Sequence, residues 1–169
     1  MRYEFSYYRD EDFDEVEQLV LASYQWEYPV WGLARHEFCK GLHPAFTGHY
    51  LAWNHTVGIY RDKGKIAACV INEGHYNGEA FFLFDSKERG EDRELLGEMI
   101  RFAKTHASRV EADRRTRSLD LFVPEWNTVL KEMVLQSGFR ETDWGEELYI
   151  LPFKRKRQKY CKHSKKAGA

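Results

Sequence analysis

The stretch Glu79-Ala80-Phe81-Phe82-Leu83-Phe84-Asp85, followed by the loop Ser86-Lys87-Glu88-Arg89-Gly90-Glu91-Asp92 and then by Arg93–His106, decides the fold. Its first part sets four apolar side chains in a row, Phe81 to Phe84, the pattern of a strand covered on both faces. From Arg93 onward, Leu95, Leu96, Met99, Ile100 and Ala103 recur at helical spacing and give one apolar face. A buried strand, a short charged loop and an amphipathic helix make one unit of a layered α/β domain.

On the N-terminal side, Thr56–Arg61 and Lys65–Ile71 are β-rich runs separated by Asp62-Lys63-Gly64, a strong hairpin signal. A further turn, Glu73–Gly78, leads into Glu79. The aromatic run Tyr3–Arg9 predicts a strand. After it, Asp10-Glu11-Asp12 precedes Phe13, Val16, Leu19, Val20 and Ser23, a helix with acids in its first turn that ends before Pro29. A short helical piece falls at Leu33–Lys40 within a loop region. On the C-terminal side, a charged connection at Ser108–Arg117 precedes a strand at Ser118–Val123, which Pro124 ends. Asn127 opens a helix through Gln136, Gly138 takes the C-cap position, and Glu146–Leu151 is a closing strand. Early hairpins followed by alternating strands and helices predict a mixed α/β (α+β) sheet with helices on both faces.

The chain has 169 residues, about one domain, and 43% hydrophobic residues, enough for a core that needs no staples. No apolar run reaches the roughly 18 residues of a membrane helix. Met1–Phe13 has neither the basic nor the apolar segment of a signal peptide. Cys39, Cys69 and Cys161 are scattered, which fits a reducing cytoplasm and inert thiols better than a disulfide framework. The net charge of −1 hides an asymmetry, because Lys154–Ala169 holds eight bases and no acid. Without those eight, 18 bases face 27 acids, so residues 1–153 carry −9. We read 1–153 as the domain and 154–169 as a basic, disordered tail. Only that tail could dock on nucleic acid or another polyanion.

Two stretches resemble the GNAT superfamily of N-acetyltransferases, and the resemblance covers nearly all of 1–153. One is the strand–loop–helix at Glu79–His106, where the family carries a Gln/Arg-x-x-Gly-x-Gly/Ala signature. The other is Asn127-Thr128-Val129-Leu130-Lys131-Glu132-Met133-Val134-Leu135-Gln136-Ser137-Gly138-Phe139, which keeps the Asn and Gly-Phe of the family's late helix at the family's spacing. The resemblance implies a GNAT-like fold and acetyl-CoA as a substrate. It assigns donor binding to the backbone of Leu83 and Phe84, to Lys87, Arg89 and Gly90 in the loop, and to Asn127. It also implies direct attack by an amine, on a small molecule or a peptide, with Glu73 or Glu79 as the base to test. Homodimers are common among such sheets.

Departures from the family pattern point the other way. Where the family places its later glycines, this chain has Asp92 and Glu94, or Asp92 alone, depending on register. Two like charges about 4 Å apart cost roughly 4 kcal/mol at an effective dielectric near 20. The tyrosine that can protonate the leaving thiolate corresponds to Val134, which has no proton to give, and the usual Ala to Leu130. A non-catalytic GNAT-like binding or dimerisation module is therefore the alternative expectation. The degenerate loop and the change of composition after Phe153 also suit the first half of a tandem GNAT protein.

Two constellations have blander readings. Tyr24, Trp26, Tyr28 and Trp31 could line an acceptor pocket, but packing is the favoured role. His43, His49 and His55 lack helical or strand-face ligand spacing, so no metal site is expected.

Overall fold

The computed structural model describes residues 2–24, 30–37, 53–74, 78–143 and 145. The expected closing strand at Glu146–Leu151 and the basic tail lie outside the described residues. The sheet is built from β1 (Glu4–Tyr7), β2 (Gly58–Asp62), β3 (Lys65–Ile71), β4 (Glu79–Phe84) and β7 (Asp120–Phe122), in the order β1-β2-β3-β4-β7. The first three pairings are antiparallel and β4–β7 is parallel, so the sheet is mixed. Between β2 and β3, Lys63 and Gly64 both take positive φ, 52° and 81°. That is the mirror-image turn whose twist suits a tight hairpin, and glycine adopts it without strain.

Helices cover both faces. On one face lie α1 (Phe13–Ser23) and α2 (Leu33–Glu37), over a core of Val16, Leu19, Val20, Trp31, Trp53, Ile59, Cys69, Phe81 and Leu83. On the other lie α4 (Arg93–His106) and α5 (Thr128–Gln136), over Tyr60, Ala68, Val70, Phe82, Phe84, Leu95, Leu96, Met99 and Leu130. Alternation along β4 thus sends Phe81 and Leu83 to one core and Phe82 and Phe84 to the other, as a doubly covered strand requires. The arrangement is a mixed α/β fold with helices on both faces of the sheet.

Three local expectations need correction. The charged connection Ser108–Arg117 contains a small antiparallel hairpin, β5 (Arg109–Val110) with β6 (Arg117–Ser118). The strand expected at Ser118–Val123 is only Asp120–Phe122, because Ser118 pairs with Arg109 in that separate sheet. The loop after β4 also carries a helical turn, α3 (Lys87–Gly90), which its charged sequence did not announce.

Candidate functional site

The turn between β4 and α4 is where the resemblance places a donor's phosphates, and side chains of this chain already cap it. Ser86 accepts the Arg89 N–H on its hydroxyl and so starts α3. The Gly90 N–H goes to the Ser86 carbonyl at 3.3 Å, the Glu91 N–H to Glu88 at 3.3 Å and the Asp92 N–H to Arg89 at 3.2 Å. Asp92 Oδ1 then accepts the Glu94 and Leu95 N–H groups at 3.1 and 3.3 Å, capping α4. A helix N-terminus attracts anions because its first N–H groups are orphaned and its dipole is positive there. Here the anion is the protein's own carboxylate. Burial works to raise the Asp92 pKa, but the Tyr3 hydroxyl and the Leu95 and Glu94 amides outweigh it and hold the group below the usual carboxylate range.

An ionic chain ties this turn to the start of β1 and the end of β2, at the same end of the sheet. Tyr3 donates its hydroxyl to Asp92 Oδ2 at 2.7 Å and accepts from Arg89 Nη1 at 2.8 Å. Arg89 also pairs with Asp62, at the end of β2, and reaches Asp85 at 3.6 Å. Its guanidinium carbon lies 5.3 Å from the Tyr3 ring centroid. Hydrogen bonding to Arg89 lowers the Asp62 pKa, whereas desolvation raises that of Asp85.

The other residues expected around the donor have similar internal partners. Lys87 lies over the ring of Trp126, 6.0 Å from its centroid. Gly90 is buried beneath the same indole, and an added Cβ would stand 2.6 Å from Trp126 Cη2. Asn127 is fully buried; its Nδ2 donates to the Gly90 carbonyl at 2.7 Å and its Oδ1 accepts the Leu130 N–H at 2.9 Å. It caps α5 as the sequence predicts and ties that helix to the end of α3. Leu130 and Val134 are both buried in the core against α4, so neither offers a polar atom.

Beyond the turn, β4 and β7 part. Their ladder runs only from Glu79↔Asp120 to Phe81↔Phe122. Pro124 has no N–H with which to extend it. The Asp120 N–H goes to the Gly78 carbonyl and the Asp85 N–H to the Ala67 carbonyl. By alternation, the backbone groups of Phe82 and Phe84 face the β7 side, while those of Leu83 face Cys69 on β3. Of the two residues expected to offer backbone to a thioester, Phe84 faces the gap and Leu83 faces away.

Glu73 and Glu79 do come together, since Glu79 Oε1 accepts the Glu73 N–H at 3.1 Å. Glu73 is also paired with Arg35 Nε at 2.7 Å. Arg35 in turn covers Trp31 and Phe81, 5.1 Å from each ring centroid. Trp31 is fully buried against Phe81 and belongs to the core, and the Tyr24 hydroxyl accepts the Leu33 N–H. Trp26 and Tyr28 lie outside the described residues, as do His43 and His49. Among the described residues, no group of three or more His, Cys, Asp or Glu side chains could hold a metal ion. No described helix is long and apolar enough to cross a membrane.

Sequence reasoning missed Trp126, Tyr3 and Asp62, whose roles depend on contacts across 36, 86 and 27 residues. One signal was legible: Asp directly before an amphipathic run is a favoured N-cap.

No family model and no curated protein matches the chain. Among solved structures, it is similar to TTHA1254 from Thermus thermophilus, at 17% identity over 89% of this chain and 99% of that one, with a TM-score of 0.44. It is also similar to a possible acetyltransferase from Clostridium difficile 630, at 13% identity over 90% of this chain and 100% of that one, with a TM-score of 0.46.

Proposed function

We propose that this chain is a GNAT-like domain that does not grip a CoA pyrophosphate at the turn after β4, and that it serves as a non-catalytic binding module. The observation that carries this reading is the Asp92 carboxylate on the Glu94 and Leu95 N–H groups, the position an incoming phosphate would need. A phosphate brought within about 4 Å of that carboxylate meets repulsion of roughly 4 kcal/mol, about a thousandfold in affinity. Repulsion of that size moves a micromolar donor into the millimolar range. The buried Val134, where an acid would be needed, fits the same reading.

The test is calorimetry with acetyl-CoA on the wild type, Asp92→Gly and Arg89→Ala. The wild type should show no binding at millimolar donor. Asp92→Gly should gain affinity, because it frees two N–H groups and removes a charge. Micromolar binding by the wild type that weakens in Arg89→Ala would overturn the proposal.

Acyl transfer from acyl-CoA to an amine is the second reading, and one observation favours it. Past the last β4–β7 pair among the described residues, the Phe82 carbonyl and the Phe84 backbone face the gap and could hold an extended donor arm by strand-like hydrogen bonds. Glu79, with Glu73 beside it, would then be the base to test. Release of free CoA thiol in the presence of an amine, abolished by Glu79→Gln, would favour this reading over the first.

A further inference from the structure

We infer that β1 is a self-pairing edge and that its partner is β1 of a second copy of this chain. Among the described residues, β1 stands at one end of the strand order, bonded only to β2. The Tyr8 N–H goes to the Val57 carbonyl at 3.1 Å, which sets the alternation. Backbone groups of Glu4, Ser6 and Tyr8 face β2, and those of Phe5 and Tyr7 face outward. The same two residues are among the most exposed large hydrophobics, at 42% and 37%. Their rings share a face, 5.3 Å apart, and continue into a patch with Phe102, His55 and His106 at centroid distances of 5.4, 5.2 and 5.6 Å.

An open edge with exposed aromatic rings is a hazard that soluble proteins blunt with Lys, Pro or a bulge. The run Glu4-Phe5-Ser6-Tyr7-Tyr8 has no Lys, Pro or Gly, and its β1–β2 register is unbroken. The backbone stays extended as far as Arg9, at φ −129° and ψ 159°.

The sequence of β1 is what selects a second copy as the occupant. A two-fold axis through Ser6 pairs Phe5 of one copy with Tyr7 of the other, twice. These are the residues whose N–H and C=O groups face outward, so the two pairs exchange about four main-chain hydrogen bonds. Aromatic rings then lie opposite aromatic rings on the α4 face, a favourable cross-strand pairing. One short strand with its rings buries less than the roughly 1,200–2,000 Å² of a standard stable interface. The dimer should therefore be reversible, with a dissociation constant in the micromolar range.

Sedimentation analysis of the full chain from about 1 to about 500 µM, a span bracketing micromolar dissociation, tests the inference. Amide exchange at Phe5 and Tyr7 should be read at the two ends of that range. The wild type should pass from monomer to dimer, and both amides should gain protection with concentration. Phe5→Lys should weaken the dimer at least tenfold. Tyr7→Pro should do the same with circular dichroism unchanged, because the N–H it removes faces away from β2. If Tyr7→Pro fails to fold, amide exchange in the wild type and the Phe5→Lys result still decide. A monomer throughout, a dimer indifferent to Phe5→Lys, or a dimer with no added protection at Phe5 and Tyr7 would each overturn the inference. The chain meets the turn after β4 through Arg2 and Tyr3, whereas the variants here change Phe5 and Tyr7, so loss of the dimer and the outcome of acetyl-CoA binding are read separately.

Discussion

Replacing Gly90 by alanine tests whether the turn after β4 is packed shut. The backbone there is helical, so a left-handed conformation is not what calls for glycine. What calls for it is Trp126: an alanine Cβ would lie 2.6 Å from Cη2 and 3.3 Å from Cζ3 of the indole, and 3.3 Å from Asn127 Nδ2. Carbon atoms prefer roughly 3.5–4.0 Å, so the ring tip must retreat by about 1 Å. Overpacking of this kind costs about 1–3 kcal/mol, and the reduced freedom of the unfolded chain returns about 0.4–1. The expected net loss is about 1–2 kcal/mol. At a urea dependence near 2 kcal/mol per molar, the unfolding midpoint should fall by about 0.5–1 M. Equilibrium urea denaturation followed by circular dichroism reads this directly. Gly90→Ala made in a Trp126→Leu background should lose little, giving a coupling of about 1–2 kcal/mol in the double-mutant cycle. A neutral or stabilising Gly90→Ala, or a penalty that survives in Trp126→Leu, would refute the closed turn. Glycine kept for the close approach of a phosphate would show that pattern, since alanine would then harm only donor binding.

Two further outcomes follow from Asn127 and His106. Asn127→Asp keeps an acceptor for the Leu130 N–H but turns a carboxylate oxygen toward the Gly90 carbonyl, 2.7 Å from the present amide nitrogen. It should lower stability by about 2–3 kcal/mol, and more than Asn127→Ser does; equal midpoints for the two variants would contradict the tether. Burial, and then neighbouring His55, hold the His106 pKa below its ordinary value. The neutral form is favoured in the folded state, so its stabilisation is complete above the ordinary histidine value and is lost as pH falls from there through the lower folded value. The urea midpoint of His106→Gln, compared with the wild type across that window, should show a difference that narrows as pH falls; a constant difference would count against it.

How much was legible depends on whether a feature is local or spatial. The turn at Lys63-Gly64, the buried strand Glu79–Phe84, the apolar face of Arg93–His106 and the Asn127 cap all appeared in the sequence, because each follows from period, turn chemistry or capping within a few residues. Acids at 92 and 94 were legible too, as an obstacle to phosphate. What the Asp92 carboxylate does was not, since its partners include Tyr3, far away in the chain. The same holds for Gly90, whose need for a bare Cα is set by an indole 36 residues on. Arg89 looked like a phosphate ligand, and only the packing of β1 and β2 against the turn gave it Tyr3 and Asp62. Local rules fix which elements form and where they start, because backbone hydrogen bonds and side-chain periodicity act over a few residues. Whether a charged turn stays open for a ligand or closes on itself depends on which distant side chains the fold brings to it, and that was decided by tertiary structure.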